Sequence, residues 1–476
     1  MEDLLLDCCE QGDVDEVFQL LQDSTINTNK IYEKNTPLII ACRNGRTEVV
    51  KLLLSDERVD VNLASLNTAT PFYIACQEGH VEIIELLLKD KRVDINKATI
   101  DETTPLHAAC RNKHVEIVKL ILSDNRIEVN QQTEGGATPF YITCQEGHAE
   151  IIELLLKDER VDPNKEMNED ATPLYIACQE GHLDVVRLLL NDERIDVNKG
   201  DNKNATPFFV SCCQGHLEIV KLLLNDERVE INKSMNDGIT PFYIACCFGR
   251  VEIVKLLLND QRIDPIQGMV EEATPFYVAC QEGHFEVVKL LLNDGRVDIN
   301  QRAYGGSTPL SIACFTERIE IVKLLLSDQR IDVNKPNIEG ETPFFIACQG
   351  GHLEIVKVFV NDPKIEINKG DKNGLTPFWI ACYHGHIKII QLILATRNDV
   401  NFTLCYGKTP IEVSKDRSNT IEEEDDDEES ESRKFKRTKD DYLDIVKLLE
   451  SFEMNPNEIQ THLRIQLGFA GKFLLD

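Results

Sequence analysis

Apolar positions along this chain come in pairs of short runs that recur. In residues 70–90, TPFYIACQEGHVEIIELLLKD, the apolar run Phe72, Ile74, Ala75 and Cys76 is broken at Gly79. From residue 81 onward Val81, Ile84 and Leu88 share one helical face, which Ile83, Leu86 and Leu87 widen. So broad a face must be covered on two sides, by the helix before it and by the next copy of the pattern. Thr70 supplies a hydroxyl that can cap the first helix, and Pro71 suits its first position because the missing N–H is an orphan there anyway. Glu82 falls in the first turn of the second helix, where the helix dipole favours an anion. The rest of the unit, RVDINKATIDET, has the composition of an extended segment and a turn. Six copies place glycine two residues before the Thr (Gly136, Gly238, Gly306, Gly340, Gly374 and Gly407), which suits a turn needing positive φ.

The Thr-Pro step recurs at Thr36, Thr70, Thr104, Thr138, Thr172, Thr206, Thr240, Thr274, Thr308, Thr342 and Thr376, always 34 residues apart, and again at Thr409 after 33. A fixed period of this length marks a solenoid, in which each unit buries its face against its neighbours. TPLHAAC at 104–110, its variant TPFYIAC at 70–76, the GHxEIVKLLL run and the DVN or DIN ending resemble the ankyrin repeats. The unit is one residue longer than the family's, and the motif His is usually Tyr or Phe. The expected fold is therefore all-α: an ankyrin-repeat solenoid of about 13 helix pairs with short β-hairpin or loop connections.

The expected organisation is a capping helix pair at 1–34, eleven repeats over 35–402, and the first half of a last repeat at 403–417. A disordered insertion, 418–441, comes next. Residues 442–476 then supply the second half of that repeat and a C-terminal cap. YLDIVKLLE restores the usual second helix, and Asn455-Pro456-Asn457-Glu458 reads as a capping box. Ile459, Leu463 and Leu467 could close the stack. The insertion holds EEEDDDEESE at 422–431 and the basic patch RKFKRTK at 433–439.

Composition narrows the chemistry. Eleven of the 16 cysteines stand six residues after a Thr, one per repeat from Cys42 to Cys382. Neighbouring helices lie about 8–10 Å apart, too far for a disulfide, and no CxxC pair is present. These are small core residues, and so many free thiols suit a reducing compartment. Eight of the 11 histidines end the GH turn, an architectural position; no HExxH and no convergent His/Asp/Ser set occurs. No segment outside the repeats is long enough for a catalytic domain. No enzyme activity, cofactor or metal is expected. The net charge of −31 disfavours nucleic acid, because phosphates would be repelled. No run of 18 apolar residues exists, and the N-terminus lacks the basic region of a signal peptide, so no membrane association is expected.

The family resemblance implies binding of partner proteins through hairpin tips and the inner face of the first helices. The matching tips are the variable stretches before each Thr, with Glu102, Asp170, Asn204 and Glu272 as candidate contacts. An aromatic row three residues after the Thr adds Tyr73, Tyr141, Tyr175, Tyr243, Tyr277 and Trp379, a residue class enriched at interface hot spots. The same row occupies the motif His position, which ties neighbouring repeats together. Asp90, Arg92 and Asp94 open a loop ladder that recurs along the chain and suggests ion pairing within and between repeats. After Asp264 the usual Ile-Asn-Lys becomes Pro265-Ile266-Gln267, and a later copy carries Ser311 and Glu317-Arg318. A weaker or specialised joint is expected around 263–320. Leu54 with Asp60-Val61-Asn62 fits the spacing accepted by asparaginyl hydroxylases in this family.

These features lead to a monomeric, non-catalytic protein-interaction scaffold in the cytoplasm, whose acidic concave face favours a basic partner. The basic patch, as a candidate import signal, opens a nuclear location. The alternative is a substrate-receptor adaptor whose segment 442–476 recruits a larger complex, although no recruitment-box pattern is found there.

Overall fold

The computed structural model describes residues 2–31, 35–66, 68–268, 273–397, 399–402, 405–420 and 437–469. They form two compact units, 1–236 and 237–476. Among the described residues there are 27 α-helices and one short 3-10 turn. Among the described residues the connections expected as β-hairpins hold no strand; an isolated bridge joins Cys405 and Lys408. No described helix is long and apolar enough to cross a membrane.

Local chemistry sets the first helix of each repeat. Thr172 is extended at φ −85°, and its hydroxyl accepts the amide N–H of Tyr175 at 3.1 Å, with Pro173 opening the helix Pro173–Glu180. The same Thr cap and Pro start open every first helix from Pro37–Arg43 to Pro377–Tyr383. Gly181 ends the helix at φ +82°, and the second helix, Leu183–Leu190, turns back along the first. Lys113 and Glu317 stand at that glycine position at φ +61° and +59°.

Within each unit, first helices pack on first helices of neighbouring repeats and second helices on second helices. The core between them is Phe72, Phe140, Phe208, Phe242, Phe276, Phe344 and Phe378, the row one residue after the Pro, together with the second-helix Ile, Val and Leu residues. The eleven cysteines of the ladder are fully buried, and none of the 16 is in a disulfide. Burial pushes the thiols of Cys42, Cys76 and Cys144 up, well beyond the ordinary range.

Three side-chain devices join repeats through backbone groups. Seven of the eight turn histidines donate Nε2–H to a carbonyl 37 residues back, as in His182 to Gln145 O at 2.8 Å and His114 to Gln77 O at 2.9 Å; His352 instead sets its Nδ1 3.7 Å from the Glu317 carboxylate. Within each unit the ladder arginines grip the carboxylate two residues before them and the last turn of the preceding second helix. Arg160 pairs with Asp158 at 2.6 Å and donates Nη2–H to Leu122 O at 2.8 Å. The DVN asparagine spans to the next repeat: Asn62 Nδ2 donates to Arg92 O at 2.7 Å, and its Oδ1 accepts from Asp94 N–H at 2.8 Å. Arginine pairing thus lies within a repeat, while the link between repeats runs to backbone. Ile266 stands where the asparagine belongs and carries no amide to make that span, although its own N–H still bonds to Asp264 Oδ1 at 3.0 Å.

The C-terminal end differs from the expectation in two places. Helix Pro410–Thr420 runs past residue 418, and Lys439–Met454 starts before 442. The acidic run and most of the basic patch, at 421–436, lie outside the described residues, as does the tail 470–476. Asn455 makes no side-chain cap, so the expected capping box is absent; one forms at Thr438, whose hydroxyl accepts from Asp441 N–H at 3.3 Å. Helix Pro456–Gln466 still packs on Ile387–Thr396, burying Leu463 and donating from Gln460 Nε2 to Leu394 O at 2.9 Å and from Arg464 Nε to Ala395 O at 2.7 Å.

Candidate functional site

The variable stretches before each Thr are tight turns whose backbone is fixed and whose side chains are not. In the Thr104 repeat, Thr99 N–H bonds Thr103 O at 3.0 Å and Glu102 N–H bonds Thr99 O at 2.9 Å. The turn needs positive φ at its fourth residue. Gly136 and Gly340 supply it at +82° and +84°, whereas Glu102, Asp170 and Asn204 adopt it at +58°, +62° and +65°. Three of the four tip residues expected from sequence thus hold one backbone position; the fourth, Glu272, lies outside the described residues. Glu102 and Asp170 are exposed, while Asn204 is half-buried and donates Nδ2–H to Ser234 O at 2.8 Å.

Successive tips touch. Glu134 N–H donates to Asp101 O at 3.2 Å, Asn168 N–H to Gly135 O at 3.1 Å and Asn202 N–H to Glu169 O at 3.0 Å; in the second unit Ile338 N–H donates to Gly305 O at 2.9 Å. These bonds join successive tips into a ridge over 101–236 in the first unit and 305–372 in the second. Among the described tip residues the most exposed aliphatic side chains are Ile100 at 74 %, Ile338 at 67 % and Leu66 at 66 %. Sequence reasoning placed the candidates in these stretches but chose Glu102 beside Ile100 and no residue beside Leu66. The missed signal was an apolar residue at a position that is Asn in three other repeats.

The aromatic row lies elsewhere than a contact surface would. Tyr141, Tyr243, Tyr277 and Trp379 are buried between first helices, and Tyr73 and Tyr175 are half-buried. Trp379 donates Nε1–H to Lys408 O at 3.1 Å and stacks on Tyr383 at 5.6 Å. Burial pushes the Tyr175 hydroxyl up to about 12, with the Asp201 carboxylate adding to the effect. Little of these rings is left for a partner. The aromatics that do stand out on first helices are Phe248 and Phe315, where other repeats carry mainly polar residues.

Among the described residues no group of three or more His, Cys, Asp or Glu could hold a metal. His107 is fully buried; its Nδ1 accepts the Thr104 amide at 3.0 Å, and its Nε2–H meets Ala137 O at 3.0 Å. Burial holds its imidazole down to about 4, so it stays neutral. A polar recess of about 430 Å³ in the first unit is lined by Gln132, Asp162, Glu166, Asp170 and Lys199, with Glu166 and Lys199 paired across it.

A sequence model described as ankyrin repeats (3 copies) matches residues 5–99, 64–133, 106–201, 195–268, 262–337 and 329–404. A comparison with curated proteins gives no match. Ankyrin repeats are in general non-catalytic modules of protein–protein interaction. With helix pairs capped by Thr-Pro, closed by Gly-His and matched by that model from residue 5 to residue 404, the chain belongs to the ankyrin-repeat family.

Proposed function

We propose that this chain is a scaffold that docks partner proteins on its turn tips and on the exposed face of its first helices. The supporting observation is the ridge: a backbone tied from tip to tip by hydrogen bonds, bearing side chains that change from repeat to repeat. A rigid frame loses little entropy on binding, and the variable side chains supply selectivity. The buried aromatic row serves the frame. The acidic balance favours basic partners and speeds their encounter at low salt. The docking array is taken as 35–402, with the chain acting as a monomer in the cytoplasm or nucleus.

Cross-linking of partners captured by the full chain tests this. Links from Lys203 and Lys372, which stand on tips, support the scaffold. Links confined to Lys447, in the C-terminal helix Lys439–Met454, would instead favour an adaptor that recruits through its end.

A further inference from the structure

The tips of the first unit change character along the ridge in one direction. Leu66 and Ile100, at the same turn position of consecutive repeats, are the most exposed aliphatic side chains among the described residues of these tips. Beyond them the ridge turns acidic, with Asp101, Glu102, Glu134 and Glu169 all exposed. None of these four carboxylates forms an ion pair among the described residues. Lys203, on the tip of the Thr206 repeat, ends the acidic stretch. An apolar pair followed by four unneutralised carboxylates is a composite surface, and each half asks for different chemistry from whatever covers it.

We propose that this ridge docks a basic amphipathic α-helix of a partner protein, with apolar residues on Leu66 and Ile100 and Lys or Arg residues over Asp101, Glu102, Glu134 and Glu169. The proposal rests on the scaffold reading and names the partner class for its tips. Spacing selects the helix. Stacked repeats lie about 8–10 Å apart. Residues seven apart on one helical face rise by about 10.5 Å, within about 0.5 Å of the upper end of that range and nearer to it than either strand spacing. In a strand, residues on one face come every second position at about 6.8 Å or every fourth at about 13.6 Å, and neither matches. The tip carbonyls also point to the next tip rather than outward, so a strand would find few backbone partners there.

The test titrates the full chain with three fluorescent synthetic helices and reads anisotropy. The first carries two leucines seven residues apart followed by a lysine cluster. The second replaces the leucines with serine, and the third replaces the lysines with glutamate. The first is expected to bind at least about tenfold more tightly than either of the others. L66S/I100S should remove the preference for leucine, D101N/E102Q/E134Q should flatten the salt dependence, and I338S in the second unit should change neither. All are exposed substitutions, and unchanged far-ultraviolet circular dichroism verifies the fold.

Equal binding of the first two helices, or a leucine preference that survives L66S/I100S, would overturn the proposal. So would a failure of the first helix to bind. The scaffold reading stands or falls separately: partners cross-linked to the tips while the first helix fails leave the scaffold intact and the helix wrong, whereas partners that never touch the tips remove both.

Discussion

Gly351 offers the sharpest test of how repeats are joined. It ends the helix Pro343–Gly350 at φ +76° and ψ 21°, and its N–H bonds to Ala347 O. A Cβ at this position would lie 2.5 Å from His386 Cε1 and 2.7 Å from Nδ1. The ring cannot slide away freely. Its Nε2–H is held by Gln349 O at 2.9 Å, and its Nδ1 accepts from Arg437 Nη2 at 2.9 Å. Gly351→Ala therefore meets two costs. The left-handed backbone is worth about 1–2 kcal/mol against alanine. A displaced ring gives up a hydrogen bond of about 1 kcal/mol. Alanine's stiffer unfolded chain returns about 0.4–1 kcal/mol. The net expectation is a loss of about 2 kcal/mol from the C-terminal repeats, the sum of those contributions. In the H386A background the ring is gone, so G351A should cost only the strain, about 1 kcal/mol, giving a coupling of about 1 kcal/mol. The sole tryptophan, Trp379, is buried in the first helix of the His386 repeat and reports unfolding there by its emission in a urea titration. Costs that add to within about 0.3 kcal/mol, or a G351A loss below about 0.5 kcal/mol, would refute the stacking of His386 over Gly351 as a joint.

Other expectations follow from the same framework. His107 is held near 4 in the folded chain against an ordinary 6.5, a depressed value, so its contribution is complete above pH 6.5 and is lost as pH falls toward 4. That loss amounts to up to roughly 3 kcal/mol. H107Y, the residue type five sibling repeats carry, should lessen the fall in urea midpoint across this window. Ile266→Asn should restore the missing span to Arg296 O and Asp298 N–H, slow exchange of the Asp298 amide and stabilise the second unit by about 1 kcal/mol; unchanged exchange would show that the neighbouring Pro265 has altered the turn. R160K should lose the forked grip on Asp158 and Leu122 O and speed amide exchange at the ends of Val115–Leu122 and Ala149–Leu156, with a local cost of about 1 kcal/mol. In a thiol titration of the native chain, Cys213 and Cys247 should react first, because they alone among the 16 cysteines are not buried.

How much was legible can be traced to the reach of each signal. Thr caps its own helix through an amide three residues on, Pro opens that helix, and Gly closes it within the same turn, so sequence alone determined the helices, their period and the family. It also determined that the cysteines are core and that the GH histidines are architectural, because a residue repeated once per unit meets the same surroundings each time. The tertiary structure decided what depends on groups 30 to 38 residues away. The acceptors of Arg160 and His182 are backbone carbonyls, and a carbonyl has no letter in the sequence to mark it. The aromatic row at Tyr141, Tyr243, Tyr277 and Trp379 reads equally well as interface or interior, and only stacking showed that neighbouring first helices cover it. The tips were expected as hairpins because their composition suits extended chain, yet over 101–236 and 305–372 successive tips bond to one another in place of a strand ladder. Exposure at Leu66 and Ile100 likewise emerged only from packing, because an apolar residue is buried or bared by what stands beside it.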